Sequence, residues 1–183
     1  MANMRVDYNP NSINDAYHGT LYEVAKKIVS EKKFIPSKSN DDYLGDGVYF
    51  FEGSRWLAAK WVERNHGKDV YIGIVCACVN YGNCLNLNLP EHRFILNRVK
   101  EEIIKQPGFK KLGRRITDAF VVNYYATNIN KYLDTIRLTY ICQDYGKLYE
   151  GSIIYDYAQP MLCVRNHAKI SNISLSFGGK DYV

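Results

Sequence analysis

No apolar run in this sequence is long enough to cross a bilayer, which excludes a helical membrane span within it. The opening residues Met1-Ala2-Asn3-Met4-Arg5-Val6-Asp7 lack the apolar segment of a secretory signal. A cytoplasmic protein with no membrane partner is therefore expected. The cysteines number five, Cys76, Cys78, Cys84, Cys142 and Cys163, and an odd count in apolar strand-like settings argues against a disulfide framework. They read as buried reduced thiols. Only four histidines are present, none at a Cys/His ligand spacing, so no metal site is expected. There is no Ser/His/Asp or Cys/His nucleophile arrangement, no internal repeat and no low-complexity linker. Residues 1–183 read as one domain, large enough for a core of its own.

The net charge is +5, with a pI of about 8.8. That mild basicity suits a nucleic-acid or other anionic partner. The lysines and arginines are dispersed, however, and an ordinary solvated surface explains them equally well. Tyrosine is abundant, at 16 residues, so a single tyrosine carries little weight as a functional signal.

Periodicity supplies the elements. Leu21, Val24, Ala25, Ile28 and Val29 recur at helical spacing over Leu21 to Lys32. Thr20 is placed as N-cap, with Glu23 three residues on as in a capping box. Phe34-Ile35-Pro36 ends that helix, and Ser37 to Asp42 is a polar loop. Gly47 to Phe51 reads as a short strand. Ser54 to Asn65 reads as a helix capped by Ser54, and Val70 to Val79 as a buried strand. Cys84 to Leu87 is a short strand, and His92 to Gln106 is a helix stopped at Pro107-Gly108. Asp118 to Tyr125 is a helix and Thr135 to Cys142 a strand. Ser152 to Tyr155, Leu162 to Val164 and Ile170 to Leu175 are further strand candidates. Helices come early and strands late, which predicts α+β rather than a repeating βαβ order.

Two blocks carry the chemistry: Tyr17-His18-Gly19-Thr20 and Leu44-Gly45-Asp46-Gly47-Val48-Tyr49-Phe50-Phe51. A histidine beside bare glycine backbone, followed by a Gly-x-Gly turn into an aromatic strand, suits a flat amide-bearing ring. One block offers backbone hydrogen bonds and the other an aromatic face. No Gly-Lys-Ser/Thr follows the glycine pair, so it is no phosphate loop. Taken singly, each block also reads as an ordinary turn or strand entry.

In their order and spacing, and in the helix between them, the two blocks resemble those of the ADP-ribosyltransferases of the diphtheria-toxin and poly(ADP-ribose) polymerase group. That resemblance implies an α+β ADP-ribosyltransferase fold: two facing, largely antiparallel sheets, flanking helices and a central NAD cleft. Carried onto this sequence, His18 bonds a ribose hydroxyl of NAD. Gly19 pairs through its backbone with the nicotinamide carboxamide, and Thr20 adds a hydroxyl contact. Gly47 belongs to the loop beneath the ring, and Tyr49 stacks on it. Trp61 closes the other face, with Trp56 as the alternative. Core packing of an amphipathic helix accounts for both tryptophans equally well.

Many members of that group place a glutamate at the start of a late strand, where it favours an oxocarbenium-like transition state. Here one alignment offers Glu150, a residue before the expected position, which Gly151 holds. The other offers Gln159 or, two residues on, Met161. Gln159 is preferred as the catalytic residue, and departure from glutamate points to mono-ADP-ribosylation rather than polymer formation. Arg137 and Arg165 are candidates for holding an NAD phosphate, with structural pairing the plainer reading. The resemblance implies NAD as co-substrate and a macromolecular acceptor, nucleic acid slightly ahead of protein. Small free-standing members are often toxins, which brings an antitoxin into view as partner. The alternative is a catalytically inactive module that binds NAD, ADP-ribose or RNA. An RNA 2′-phosphotransferase on the same fold would need a basic cluster that this sequence does not assemble.

Overall fold

The computed structural model describes residues 11–39, 42–112, 116–141, 149–152, 158–180 and 182. Their order is β1 (Ser12–Leu21), α1 (Tyr22–Glu31), β2 (Val48–Glu52), α2 (Arg55–His66), β3 (Ile72–Asn80), β4 (Cys84–Asn86), α3 (Pro90–Lys105), α4 (Pro107–Leu112), α5 (Asp118–Tyr124), β5 (Thr135–Ile141), β6 (Ala158–Val164) and β7 (Ile170–Gly179). A π-helical turn, Tyr125–Ile129, extends α5.

The strands pair in the order β4-β5-β6-β2-β1-β3-β7. All neighbours are antiparallel except β4 and β5. Two facing sheets were expected, whereas the described strands form one hydrogen-bonded sheet of seven. The joint is β6, which pairs along one edge with β2 (Phe51↔Met161) and along the other with β5 (Leu138↔Met161).

Alternation sorts the strand residues onto two apolar faces. Tyr17, Phe51, Ile74, Met161 and Cys163 face one core, which α2 covers with Leu57, Ala58 and Val62, α3 with Val99 and Ile103, and α5 with Val121 and Val122. Ala16, Phe50, Val75, Leu162 and Val164 face the other, where Ala25 and Ile28 of α1 and Phe34 pack. Covering both faces explains why β3 and β6 read as nearly unbroken apolar runs.

Local signals held where the side chain had a partner. Ser54 caps α2 by accepting from the Leu57 N–H at 3.2 Å. Thr20 does not cap α1. β1 runs through it, paired with Gly73, and the N-cap is Leu21, with no side-chain bond. Glu23 instead pairs with Lys26 at 2.7 Å. Pro107 does end α3, but it also opens α4, because proline's fixed φ and missing N–H suit a first helical position. Of the described cysteines, Cys163 alone is buried, while Cys76, Cys78 and Cys84 are partly exposed. Leu162 to Val164 is the end of the longer β6. Ser152 closes a turn, and the strand proposed from it runs into residues 153–157, outside the described ones.

Candidate functional site

The site is a split between neighbouring strands. β1 and β2 pair at Ala16↔Glu52 and Tyr17↔Phe51 and no further. On this side of β1 the hydrogen-bonding residues are the odd-numbered ones, since Gly53 N–H donates to the Asp15 carbonyl at 2.9 Å. Continued one step, the ladder would join Gly19 to the Tyr49 carbonyl. Instead the Nδ1 of His18 bonds that carbonyl at 2.8 Å. The imidazole occupies the carbonyl that the ladder would have offered Gly19, and Gly19 lines the gap. β3 holds the other edge of β1 (His18↔Val75, Gly19↔Ile74), so the strand stays fixed while its β2 side opens.

A carbonyl can only accept, so Nδ1 carries the proton, and in the neutral ring Nε2 is an acceptor. The ring lies 5.3 Å from Phe34 and 5.8 Å from Phe50, centroid to centroid. Burial lowers its pKa from the ordinary 6.5, partly opposed by the bond to Tyr49. The sign of the linkage is fixed by that direction. The unfolded chain takes up this proton at a higher pH than the folded one, so folding stability falls as pH drops below about 6.5. His167, also lowered by burial, adds to the same trend. Urea midpoints measured at pH 7.5 and 5.5 should fall with pH in the wild type and fall less in His18→Gln. An equal fall in both would remove His18 as a contributor.

The gap opens into a cavity of about 450 Å³, within the range of small-molecule sites. His18, Gly19, Tyr49, Trp61 and Met161 line it. Tyr49 is oriented through its hydroxyl, which donates to the Gly45 carbonyl at 2.7 Å and accepts from the Leu44 N–H at 3.2 Å. Burial raises its pKa far above the ordinary tyrosine value. With the hydroxyl occupied and protonated, the ring is what Tyr49 offers. Trp61, on α2, is 43% exposed, whereas Trp56 packs against the core beneath α2.

The glycines have structural reasons of their own. A Cβ on Gly19 would lie 2.0 Å from the Ala58 carbonyl oxygen, so α2 and β1 need this glycine whatever the cavity holds. Gly45 sits at φ +74°, a left-handed turn that favours glycine. A Cβ on Gly47 would meet Cys163 Sγ at 2.5 Å, so Gly47 seats the loop on β6 and does not line the cavity. Thr20 also lies outside the lining. Asn123 locks the turn, accepting from the Asp46 N–H and donating to Asp46 Oδ1, both at 2.9 Å.

Neither arginine lines this cavity, and both are paired within the protein. Arg137 makes a bidentate pair with the buried Glu52, with Nη2 to Oε2 at 2.6 Å and Nε to Oε1 at 2.8 Å. Arg165 donates to the Asp46 carbonyl at 2.9 Å and to Asn123 Oδ1 at 2.7 Å. Glu150 is exposed in a turn and is not among the lining residues. Gln159 stands in β6 opposite Tyr140, and its side chain lies outside the described residues. Met161, two residues along the same face, reaches the cavity. Cys163 is no nucleophile, since burial pushes its thiol up to about 12. Among the described residues no group of His, Cys, Asp and Glu is placed to hold a metal ion.

The stretch between α1 and β2 also supplies the cavity wall, with Ile35, Ser37, Ser39, Asp42 and Tyr43. It carries no hydrophobic period, so only its polarity was legible. Asn65 was within reach of sequence reasoning, being one helical turn after Trp61 and also on the wall.

Comparison with known proteins adds one relative. The chain is 28% identical over 136 residues to Uncharacterized protein MJ0359 of Methanocaldococcus jannaschii, covering 66% of this chain and 62% of that protein. The chain thus spans less than two thirds of that relative's length. No protein-family model matches, and no solved structure matches. No helix among the described residues is long and apolar enough to cross a membrane.

Proposed function

We propose that this chain has an ADP-ribosyltransferase fold and is an NAD-dependent mono-ADP-ribosyltransferase acting on a macromolecular acceptor. The observation that carries the reading is that the β1–β2 ladder stops before Gly19, where His18 bonds the Tyr49 carbonyl and Gly19 and Tyr49 line one cavity. A backbone N–H and C=O side by side match the C=O and NH₂ of a carboxamide, and Tyr49 and Trp61 offer faces for the attached ring. The neutral His18 accepts a ribose hydroxyl at Nε2.

In the proposed reaction the bond between C1 of the ribose and the nicotinamide nitrogen breaks. Nicotinamide leaves with the bonding pair and becomes neutral, and the ribose takes the positive charge. An acceptor nucleophile then bonds to C1 and gives up its proton. The net charge of +5 favours nucleic acid over protein as acceptor. A cytoplasmic toxin with a cognate antitoxin is the setting this reading extends to by family analogy.

A second reading, an inactive module that binds NAD, ADP-ribose or RNA, is supported by Met161. This apolar side chain of β6 lines the cavity at one of the two positions, Gln159 and Met161, where the resemblance places the catalytic group. Nicotinamide release from NAD by the purified protein separates the two. Release is expected from the wild type, with a drop of about a hundredfold or more in His18→Ala and in Tyr49→Ala, the scale of losing a positioning group. NAD binding without release, with cell lysate supplied as acceptor, would establish the second reading.

A further inference from the structure

Among the described residues lining the cavity, the only charged side chain is Asp42. No lysine or arginine accompanies it there, so the wall carries one negative charge beside aromatic rings of Tyr43, Tyr49 and Trp61. That combination repels phosphate and suits a flat cation, which gains from the carboxylate by Coulomb attraction and from the rings through their quadrupoles.

Asp42 is held in place. Ser37 pairs with Gly47 across the loop, N–H to carbonyl both ways at 2.8 and 3.1 Å. Inside that closure the Asp42 N–H donates to the Ser39 carbonyl at 3.2 Å, and the Gly45 N–H donates to the Asp42 carbonyl at 2.8 Å. The carboxylate accepts from Ser37 Oγ and from the Ser39 N–H, both at Oδ2. Oδ2 thus anchors the carboxylate to the loop. The Gly45 that caps this loop also holds the Tyr49 hydroxyl, so carboxylate and ring are positioned by one turn.

We infer that Asp42 is the residue by which the cavity reads positive charge on its ligand, selecting a cationic pyridinium ring over the same ring uncharged. For nucleotides the inference rests on the NAD reading above, and it makes Asp42 a specificity residue of that site. It also explains how a wall without arginine takes NAD: the ring enters and the pyrophosphate stays outside.

The test compares ligands that differ in ring charge. NAD⁺ and NADH share adenine, riboses and phosphates and differ at the ring, as do 1-methylnicotinamide and nicotinamide on a smaller scale. Affinities for all four are measured by calorimetry on wild type, Asp42→Asn and Ser37→Ala. The wild type should prefer each cationic member by about tenfold, the scale of one partly screened opposite charge. In Asp42→Asn the preference should fall to about twofold, what the rings alone sustain. Ser37→Ala keeps the charge and should keep most of the preference, which separates charge from loop integrity. Undiminished preference in Asp42→Asn overturns the inference. If neither nucleotide binds but 1-methylnicotinamide is preferred through Asp42, the NAD reading fails and this inference stands. If the wild type binds none of the four, both fall.

Discussion

Gly19→Ala is expected to destabilise the protein by about 3 kcal/mol or more, at the upper end of what overpacking a well-filled interior costs. The added Cβ would stand 2.0 Å from the Ala58 oxygen and 2.7 Å from the Ala58 carbonyl carbon. Both are main-chain atoms of α2, so no side-chain rotamer relieves the clash. The strand or the helix has to move, and β1 is pinned by β3 along its other edge. Urea denaturation measures the loss. Gly108→Ala is the control, because nothing lies within 4 Å of its Cβ position and alanine is the better helix former by up to about 1 kcal/mol. It should be neutral or slightly stabilising. A Gly19→Ala protein with an unchanged midpoint would contradict the close approach of α2 to β1. Loss of activity in Gly19→Ala is therefore no evidence for a ligand at Gly19, and the site is better probed at His18, Tyr49 and Asp42.

Arg137→Met should cost about 3–5 kcal/mol, the range found when one partner of a buried ion pair is removed. Glu52 has 6% of its side chain exposed and depends on the Arg137 fork. Its other described partner is the Tyr81 hydroxyl, which donates to Oε1 at 3.0 Å. Removing the guanidinium leaves the carboxylate charged, shielded from water and held by one hydroxyl. The same arginine lies 5.5 Å from the centroid of the Tyr81 ring, so the substitution also removes a cation–π contact. Adding Glu52→Gln to Arg137→Met should recover about half of the loss, because an amide has no charge to strand and still accepts from Tyr81. A single-variant loss below about 1 kcal/mol would mean that the pair behaves as a surface bridge.

Glu52 and Arg137 also mark a boundary of sequence reasoning. An arginine in an apolar strand can hold a ligand anion or a buried carboxylate, and only the position of Glu52, 85 residues earlier, decides between them. Cys163 is a similar case: its strand was legible, and its inertness follows from being enclosed against the 45–47 turn.

The elements with a period or a cap are written in the order of the residues: α2 from Ser54, the helical stripe of α1, and the apolar runs of β3 and β5. The sequence by itself also singled out His18, Gly19, Tyr49 and Trp61, four residues from three elements that line one cavity. These were legible because a backbone period repeats and because His-Gly and Gly-x-Gly are rare local arrangements with a steric meaning. The tertiary structure alone decided the rest. It joined the strands into one sheet through β6, took Thr20 and Gly47 off the cavity wall, and put Met161 on it. It gave Gly19 a packing reason, in the main chain of α2, that no local pattern contains. It also brought Asp42 from a loop without periodicity to the aromatic rings. A loop's course depends on which distant carbonyls and side chains satisfy its backbone, here Gly47 for Ser37 and Asn123 for Asp46. Those partners become neighbours only when the chain has folded.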